Sequence, residues 1–497
     1  MIADLVVVGA GIGGLVIAHD AARAGLDVVV LEEGGRTGGM LRRADLGGVS
    51  IDIGAESFAT RTTGVADLIA DAGLDLRIVS PTGGGAHLAA VGDDGVLRAP
   101  LPRRTVLGIP ADPLAADVVR ILGEAGARRA AAEAEMPLPA AMRSEPDAEP
   151  TLAALVAERF GPVLLERLVD PLCRSVYSVP AAEVRLSRLH PALWRAFGEL
   201  GSLTAAAASL AAPERAGGAV AGIEGGMWRL AAELHRAAVT LGADVRTGAR
   251  VREISAEPGG VVVIADGVTL RARRVVVATG TAAARILLGA PAAPPPVVRV
   301  AAALVRSTAL DDGPVGSGVI AAAEVPAQAK ALTHVTSKWE WAARAVPPGH
   351  HVVRFSARDA SSRLGSPADV AREVALLAGV PLAPADVVAV VEETWPDAVA
   401  SPPVDPARRA ALEADGVLLA GAAVAGTGLA SVVPHARDLA RRIVAERGDA
   451  AEPGDAAAVT APADAAAVTA PAAAVSRATN DAETTNTSQT TTHRRTA

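Results

Sequence analysis

Gly9, Gly11 and Gly14 sit in the run Gly9-Ala10-Gly11-Ile12-Gly13-Gly14, directly behind the short apolar stretch Ile2–Val8. Glycines at this spacing permit a tight turn, let the backbone approach a pyrophosphate, and let the next helix pack close to its strand. The helix N-terminus then turns free N–H groups and the positive end of its dipole toward the phosphates. Glu32 closes a second apolar stretch, Leu26–Leu31, and Glu33 follows it. A carboxylate at the end of that strand accepts hydrogen bonds from ribose hydroxyls and repels a 2′-phosphate. That disfavours NADP and leaves NAD and FAD both open. The elements that must position these groups are a strand, a glycine turn, a helix over Leu15–Ala24 and a second strand. Together they have the length of a βαβ crossover in a Rossmann-type α/β fold. The plain alternative is a glycine-rich turn that binds nothing.

Two further segments bear on the cofactor. Glu32 opens Glu-x-x-x-Arg36-x-Gly38-Gly39, followed by Met40. This resembles the stretch after the ribose acid in the flavin amine oxidase superfamily, where paired glycines let the chain run along the diphosphate. Ile51-Asp52-Ile53-Gly54-Ala55-Glu56-Ser57-Phe58 comes next, and Gly54 would allow a planar ring system to approach the backbone. This segment resembles the oxygen-dependent protoporphyrinogen and coproporphyrinogen III oxidases. The same resemblance continues through Gly108–Pro113, Arg159–Gly161, Leu168–Leu172, Val176-Tyr177-Ser178, Thr336–Trp341, Val353–Ser356 and Gly421–Leu429. The order and spacing of these segments, across most of residues 1–447, carry the resemblance.

The resemblance implies FAD as cofactor. It places the cofactor against Gly9, Ala10, Gly11, Ile12, Gly13 and Gly14, then Glu32, Glu33, Arg36, Gly39 and Met40. Gly54, Ala55, Glu56 and Ser57 would lie near the flavin, with Val251, Trp395, Thr427, Gly428 and Leu429. It also implies six-electron oxidation of a porphyrinogen with O2 as acceptor and hydrogen peroxide as product, in haem biosynthesis. Coproporphyrinogen III is the preferred substrate, because Gly108–Pro113 resembles the coproporphyrin-forming members. Protoporphyrinogen IX is the next candidate. Another oxidase or desaturase of the same superfamily, and a non-catalytic protein holding FAD or a tetrapyrrole, stay open. A lysine at the flavin face with an aromatic pair would favour amine oxidation, but the chain has one Tyr, so a two-tyrosine cage is excluded.

Three departures from the family pattern bear on the substrate pocket. Arg174-Ser175 stand where small residues are usual before Val-Tyr. Trp395 leads into Pro396–Pro403 with the usual Pro-Gln-Tyr…Gly-His stretch shortened. The segment after Leu429 lacks the usual Pro-Asp-Cys. No acid–base residue can be named, so the catalytic residues are unknown. Ser57 has no evident His/Asp partner, and no metal-ligand spacing occurs. The adjacent pair His350-His351 is expected on a surface loop.

Composition sets the outer bounds. The 497 residues allow two or three domains. Half are hydrophobic and only 2 % aromatic, and the cations are nearly all Arg, Lys330 and Lys338 being the two lysines. A net charge of -8 without a basic cluster argues against a nucleic-acid partner. The single cysteine, Cys173, rules out an intrachain disulfide and fits a cytoplasmic setting. The uncharged stretch Gly416–Pro434 is interrupted by glycines and reads as strand, turn and helix start. No transmembrane segment is expected, and peripheral membrane contact stays open. The expected fold is α/β with an α+β substrate part. Residues 1–75, 212–290 and 385–447 would build a discontinuous FAD domain. Residues 76–211 and 291–384 would build a mixed-sheet and helical substrate domain. Residues 448–497, with the repeat DAAAVTAPA, would form a disordered tail. The porphyrinogen and O2 are the expected partners, in a monomer or a homodimer.

Overall fold

The computed structural model describes residues 2–82, 84–92, 95–139, 149–177, 179–211, 220–290, 297–359, 361–398 and 404–450. The chain divides into the units Met1–Asp449 and Ala450–Ala497. All that follows concerns the first; of the expected tail only residues 448–450 are described, as the end of the helix Leu429–Ala450, and the rest lies outside the described residues.

Two seven-stranded sheets organise the unit. In the first, the strands run Asp244–Arg246, Val28–Leu31, Ala3–Val8, Val268–Val277, Gly260–Ala265, Val251–Glu257, and Val417–Leu419 also pairs with Val268–Val277. Ala3–Val8 is parallel to both neighbours, with Val7 beside Val30 and Val276. Its run of apolar residues is explained by cover on both faces. Leu5 and Val7 enter one core with Leu15, Ile17, Leu230, Leu234, Val433 and Leu439 of three helices; Val6 and Val8 enter another with Val263, Val275 and Leu419. Those helices are Ile12–Arg23, Trp228–Thr240 and Leu429–Ala450.

The second sheet runs Val387–Pro396, Val297–Arg306, His350–Ala357, Ala331–His334, Gly318–Ala321, Ala86–Gly92, Gly95–Pro100. The strand Val387–Pro396 falls inside the segment 385–447, yet it pairs along its length with Val297–Arg306 in this sheet. One face packs on the helix Pro367–Ala378 through Val370, Val374, Leu377, Leu332, Val353 and Phe355. Ser366 caps that helix at Asp369 N, and Gly379 ends it in the left-handed region. The other face is covered in two places. The hairpin Arg43–Leu46/Val49–Asp52 meets Val300, Ala302, Leu304 and Val352 at one end. A helical layer that includes Leu152–Phe160, Pro191–Leu200 and Leu203–Leu210 meets Leu88, Ala90 and Ala99 at the other. Between these covers Ala331, Thr333, Arg354, Ser356 and Arg358 are partly exposed.

Element bounds differ from the sequence reading where glycine or tertiary packing intervenes. Residues Thr151–Asp170 have apolar residues at helical spacing in the sequence, and Gly161, with φ 89°, interrupts it by ending the helix Leu152–Phe160. The last helix starts at Leu429 and carries Pro434 inside it. The expected loop at His350-His351 is corrected: both residues begin the strand His350–Ala357, paired with Arg306 and Val305. His351 is buried because the strand alternation turns it inward, where its Nδ1 meets His334 Nε2 at 3.1 Å and its Nε2 meets Asp311 at 2.9 Å. No described helix is long and apolar enough to cross a membrane.

Candidate flavin site

The glycine turn is held from both sides. Gly9 has φ 99° and donates to the Leu31 carbonyl at 2.8 Å. A Cβ on Gly14 would stand 2.0 Å from the Gly9 carbonyl oxygen, so only glycine lets the helix start so close to the strand. Gly11 differs: a Cβ there would meet nothing within 4 Å. Gly11 is also the N-cap of the helix Ile12–Arg23, and no side chain caps it. The turn thus presents uncapped helix amides to open space, with Ala10 and Gly14 buried and Ile12 half-buried. Gly13 faces the other way, its Cα hydrogens against Val432 and Gly421 of the closing segment.

Glu32 is oriented toward the same space. Its Oε2 accepts from Ala10 N and its Oε1 from Gly34 N, both at 2.8 Å. Each carboxylate oxygen keeps acceptor capacity for a sugar hydroxyl. The second pair of glycines stacks on the first. Gly38 N donates to the Ala10 carbonyl at 2.8 Å, and a Cβ on Gly39 would lie 3.2 Å from Gly11 Cα. Arg36 is exposed and bends over this turn, donating to the Thr37 and Gly39 carbonyls at 3.4 Å. Glu33 turns away to an exposed ion pair with Arg250 at 3.3 Å. The structure therefore puts its side chain outside the cradle. Val251 is buried beside that pair, at the end of the sheet where Ala249 N donates to the Glu32 carbonyl.

Gly54 to Ser57 form a second wall. A Cβ on Gly54 would fall 1.9 Å from the Met40 carbonyl oxygen and 3.2 Å from the Trp395 ring. Ala55 N donates to Met40 O at 3.0 Å, and Trp395 Nε1 donates to Ile53 O at 3.0 Å. Arg354 Nη2 donates to Gly54 O. Glu56 pairs with Lys338 Nζ at 2.6 Å and lies 3.9 Å from Arg354. Burial drives the Glu56 carboxyl upward, but Lys338 and Arg354 outweigh it and hold the group below the ordinary range. Ser57 is half-buried just before the strand Phe58–Ala59. Thr427 and Gly428 are exposed at the start of the helix Leu429–Ala450, and Leu429 is buried in the core of the first helix.

Three groups in this region were given no role by the sequence reading. Lys338 and Arg354 lie far from Glu56 along the chain, and only the second sheet brings them to it. Asp52 accepts from Met227 N at 2.7 Å and Trp228 N at 2.9 Å, capping the helix Trp228–Thr240 from a distance. Burial pushes its carboxyl up to about 7 against those two bonds. The only available signal was the acid at the end of an alternating strand. Arg174 pairs with Asp170 at 2.5 Å, and Ser175 Oγ donates to the Lys330 carbonyl at 3.2 Å. Val176 and Tyr177 beside them are exposed, and Ser178 lies outside the described residues.

The family description "Flavin containing amine oxidoreductase" matches residues 12–446. The chain belongs to that family. This flavin-containing amine oxidoreductase is an FAD-dependent enzyme, and its residues fit the cofactor: an open cradle at Gly11 and a carboxylate beside it at Glu32. It is 32 % identical over 345 residues to the coproporphyrinogen III oxidase of Mycobacterium tuberculosis (strain ATCC 25618 / H37Rv), covering 67 % of this chain and 73 % of that one. The coproporphyrinogen III oxidase of Mycobacterium leprae is 33 % identical over 354 residues, with the same coverage. Among solved structures, a chain from Exiguobacterium sp. 255-15, provisionally called a protoporphyrinogen oxidase, superposes with TM-score 0.74 at 23 % identity. It covers 89 % of this oxidoreductase and 99 % of its own length. Putrescine oxidase bound to putrescine superposes with TM-score 0.60 at 16 % identity, over 90 % of this chain and 99 % of that one. These structures share the fold of the amine oxidoreductase described here.

Proposed function

We propose that this enzyme oxidises coproporphyrinogen III to coproporphyrin III, with O2 as acceptor. The observation that carries the reading is the partly exposed, cation-bearing face of the second sheet around Arg354, which the bond from Arg354 to Gly54 O joins to the segment Gly54–Ser57. A cationic face suits an anionic substrate, and the relatives' names point to the same substrate class.

We assign the FAD diphosphate to the Gly9–Gly14 turn, its ribose to Glu32, and the ring system to Gly54–Ser57, Trp395 and Thr427–Leu429. When bound, FAD accepts a hydride equivalent from a substrate carbon and passes two electrons to O2. The rest falls to the chain. The helix amides at Gly11–Gly13 and the Glu32 carboxylate fix the cofactor's position. Trp395 and the Met40 carbonyl hold Gly54 in place. Lys338 and Arg354 keep Glu56 ionised and set a positive field at the ring-facing segment, where negative charge develops on reduction. Three two-electron steps remove six hydrogens, so one porphyrin forms with three molecules of hydrogen peroxide.

The test is aerobic turnover of coproporphyrinogen III by the purified FAD-loaded protein, followed by porphyrin fluorescence and peroxide. Porphyrin formation with about three peroxides per product supports the proposal. Anaerobic mixing that leaves the flavin absorbance unbleached, under conditions where coproporphyrin III binds, assigns the chain to tetrapyrrole binding without turnover.

A further inference from the structure

The partly exposed face of the second sheet carries a row of cations whose arrangement goes further than the choice of a porphyrinogen. Arg354 and Ser356 share one face of the strand His350–Ala357 by alternation, and Arg358 stands just past its end. Arg354 lies opposite Thr333, and Ser356 opposite Ala331. The intervening Val353, Phe355 and Ala357 are buried against the helix Pro367–Ala378 side. Lys330 joins the row through its backbone, donating to the Ser356 carbonyl at 2.8 Å, and its Nζ donates to the Arg174 carbonyl at 2.9 Å. Burial first, and then the nearby Arg358 and Arg354, lower the Lys330 ammonium to about 8.

Among the described residues, two carboxylates pair with Lys338, Arg354 and Arg358. Glu56 is engaged by Lys338 at 2.6 Å and is only within 3.9 Å of Arg354. Glu183 lies 3.6 Å from Arg358 in a half-exposed pair that an incoming anion can replace at little cost. Asp170 is taken by Arg174. The chain as a whole is at -8, so this positive row runs against the general charge. Four residues along a strand from Arg354 to Arg358 span about 13 Å. That is the scale of a tetrapyrrole with its side-chain carboxylates.

We propose that Arg354, Arg358 and Lys330 form a carboxylate-binding row on this sheet face, which selects a porphyrinogen carrying four carboxylates over one carrying two. Arg354 takes the carboxylate nearest the flavin segment. Arg358 and Lys330 take one at the far side of the macrocycle, next to the Arg174 turn. Coproporphyrinogen III has four propionates, and protoporphyrinogen IX has vinyl groups in place of two of them. The row is therefore a specificity determinant, and it rests on the porphyrinogen reading above.

The experiment compares the FAD-loaded wild type with Arg358→Gln, Arg358→Lys and Lys330→Gln. Steady-state oxidation of both porphyrinogens is followed by fluorescence, and coproporphyrin III binding by absorbance titration. Flavin absorbance and Tm report the folding of each variant, and Lys330→Gln supplies the reading if Arg358→Gln does not fold. Arg358→Gln should raise KM for coproporphyrinogen III about tenfold, the scale of one charge-assisted hydrogen bond. The main effect falls on KM rather than kcat, and the coproporphyrinogen/protoporphyrinogen ratio of kcat/KM should fall by a similar factor. Arg358→Lys should recover most of it. Equal loss on both substrates, or no loss with either neutral variant, overturns the row while the oxidase reading stands. A wild type that turns over neither porphyrinogen removes the oxidase reading. The row then stands only if Arg358→Gln still weakens coproporphyrin III binding about tenfold, and falls if binding is unchanged or absent.

Discussion

Glu56 shows how a motif can place a residue without naming its partners. The motif puts it near a flavin, while its partners come from elsewhere in the chain: Arg354 from a strand of the second sheet and Lys338 from the short helix Val335–Lys338. Replacing it with Ala leaves two cations partly buried without their shared carboxylate. Loss of one member of a buried pair costs about 3–5 kcal/mol, and partial exposure puts this site at the lower end. Urea unfolding of Glu56→Ala should therefore show a loss near 3 kcal/mol, with weaker flavin retention on gel filtration. A variant as stable as the wild type removes the pair from the stability account. His334 gives a prediction of opposite character. Burial, with the adjoining His351, lowers its imidazole from the usual 6.5 to about 4. Its stabilising contribution is whole above about pH 6.5. As pH falls toward about 4, the unfolded chain takes a proton that the folded chain refuses, and stability drops by roughly 3 kcal/mol. In His334→Gln the slope of unfolding free energy between about pH 6.5 and 4 should be shallower. Identical slopes would show that the ring is not buried neutral.

At the scale of elements, the two glycines of the first turn separate folding from binding. Gly14→Ala places a Cβ against the Gly9 carbonyl and must push the first helix off its strand. Tm should fall and the flavin be lost together. Gly11→Ala meets open protein space at a φ of -68° that alanine accepts. Its apoprotein should melt within about 2 °C of wild type, while visible flavin absorbance after purification is lost or much reduced. If Gly11→Ala keeps full flavin, the diphosphate does not lie over that turn. Asp52→Ala removes the distant cap on Trp228–Thr240 and should cost about 2 kcal/mol, read in urea. This first sheet was legible because its signals are local: apolar runs of strand length, glycines at fixed offsets, an acid at a strand end. The helix break at Gly161 and the strand at His350 were not. The first depends on one positive φ within an otherwise helical spacing, and the second on pairing with Val305 and Arg306, distant in sequence. The cap from Asp52 and the cation row have the same cause, since register across a sheet decides which side chains meet.

For the whole molecule, the decisive feature is the seam where the second sheet touches the segment Ile53–Ser57 that follows the hairpin Arg43–Leu46/Val49–Asp52. Trp395 sits on the strand Val387–Pro396, and its indole donates to Ile53 O while its ring edge faces Gly54. Arg42 lies over the same ring at 5.8 Å and pairs with Glu393 at 2.7 Å. Motif resemblance brought Trp395 to notice as a cofactor neighbour, and in the structure it links that strand to the segment proposed to face the flavin. Trp395→Phe keeps most of the packing and loses one hydrogen bond. It should cost about 1 kcal/mol and leave flavin binding close to wild type. Trp395→Ala opens a cavity at the seam and should cost about 3–5 kcal/mol. Gly54 then loses its backing, so flavin affinity should fall even at temperatures where circular dichroism shows both sheets intact. If instead Trp395→Ala holds flavin as tightly as Trp395→Phe, the segment Gly54–Ser57 is held by the hairpin Arg43–Leu46/Val49–Asp52 alone, and the second sheet contributes substrate contacts without positioning it.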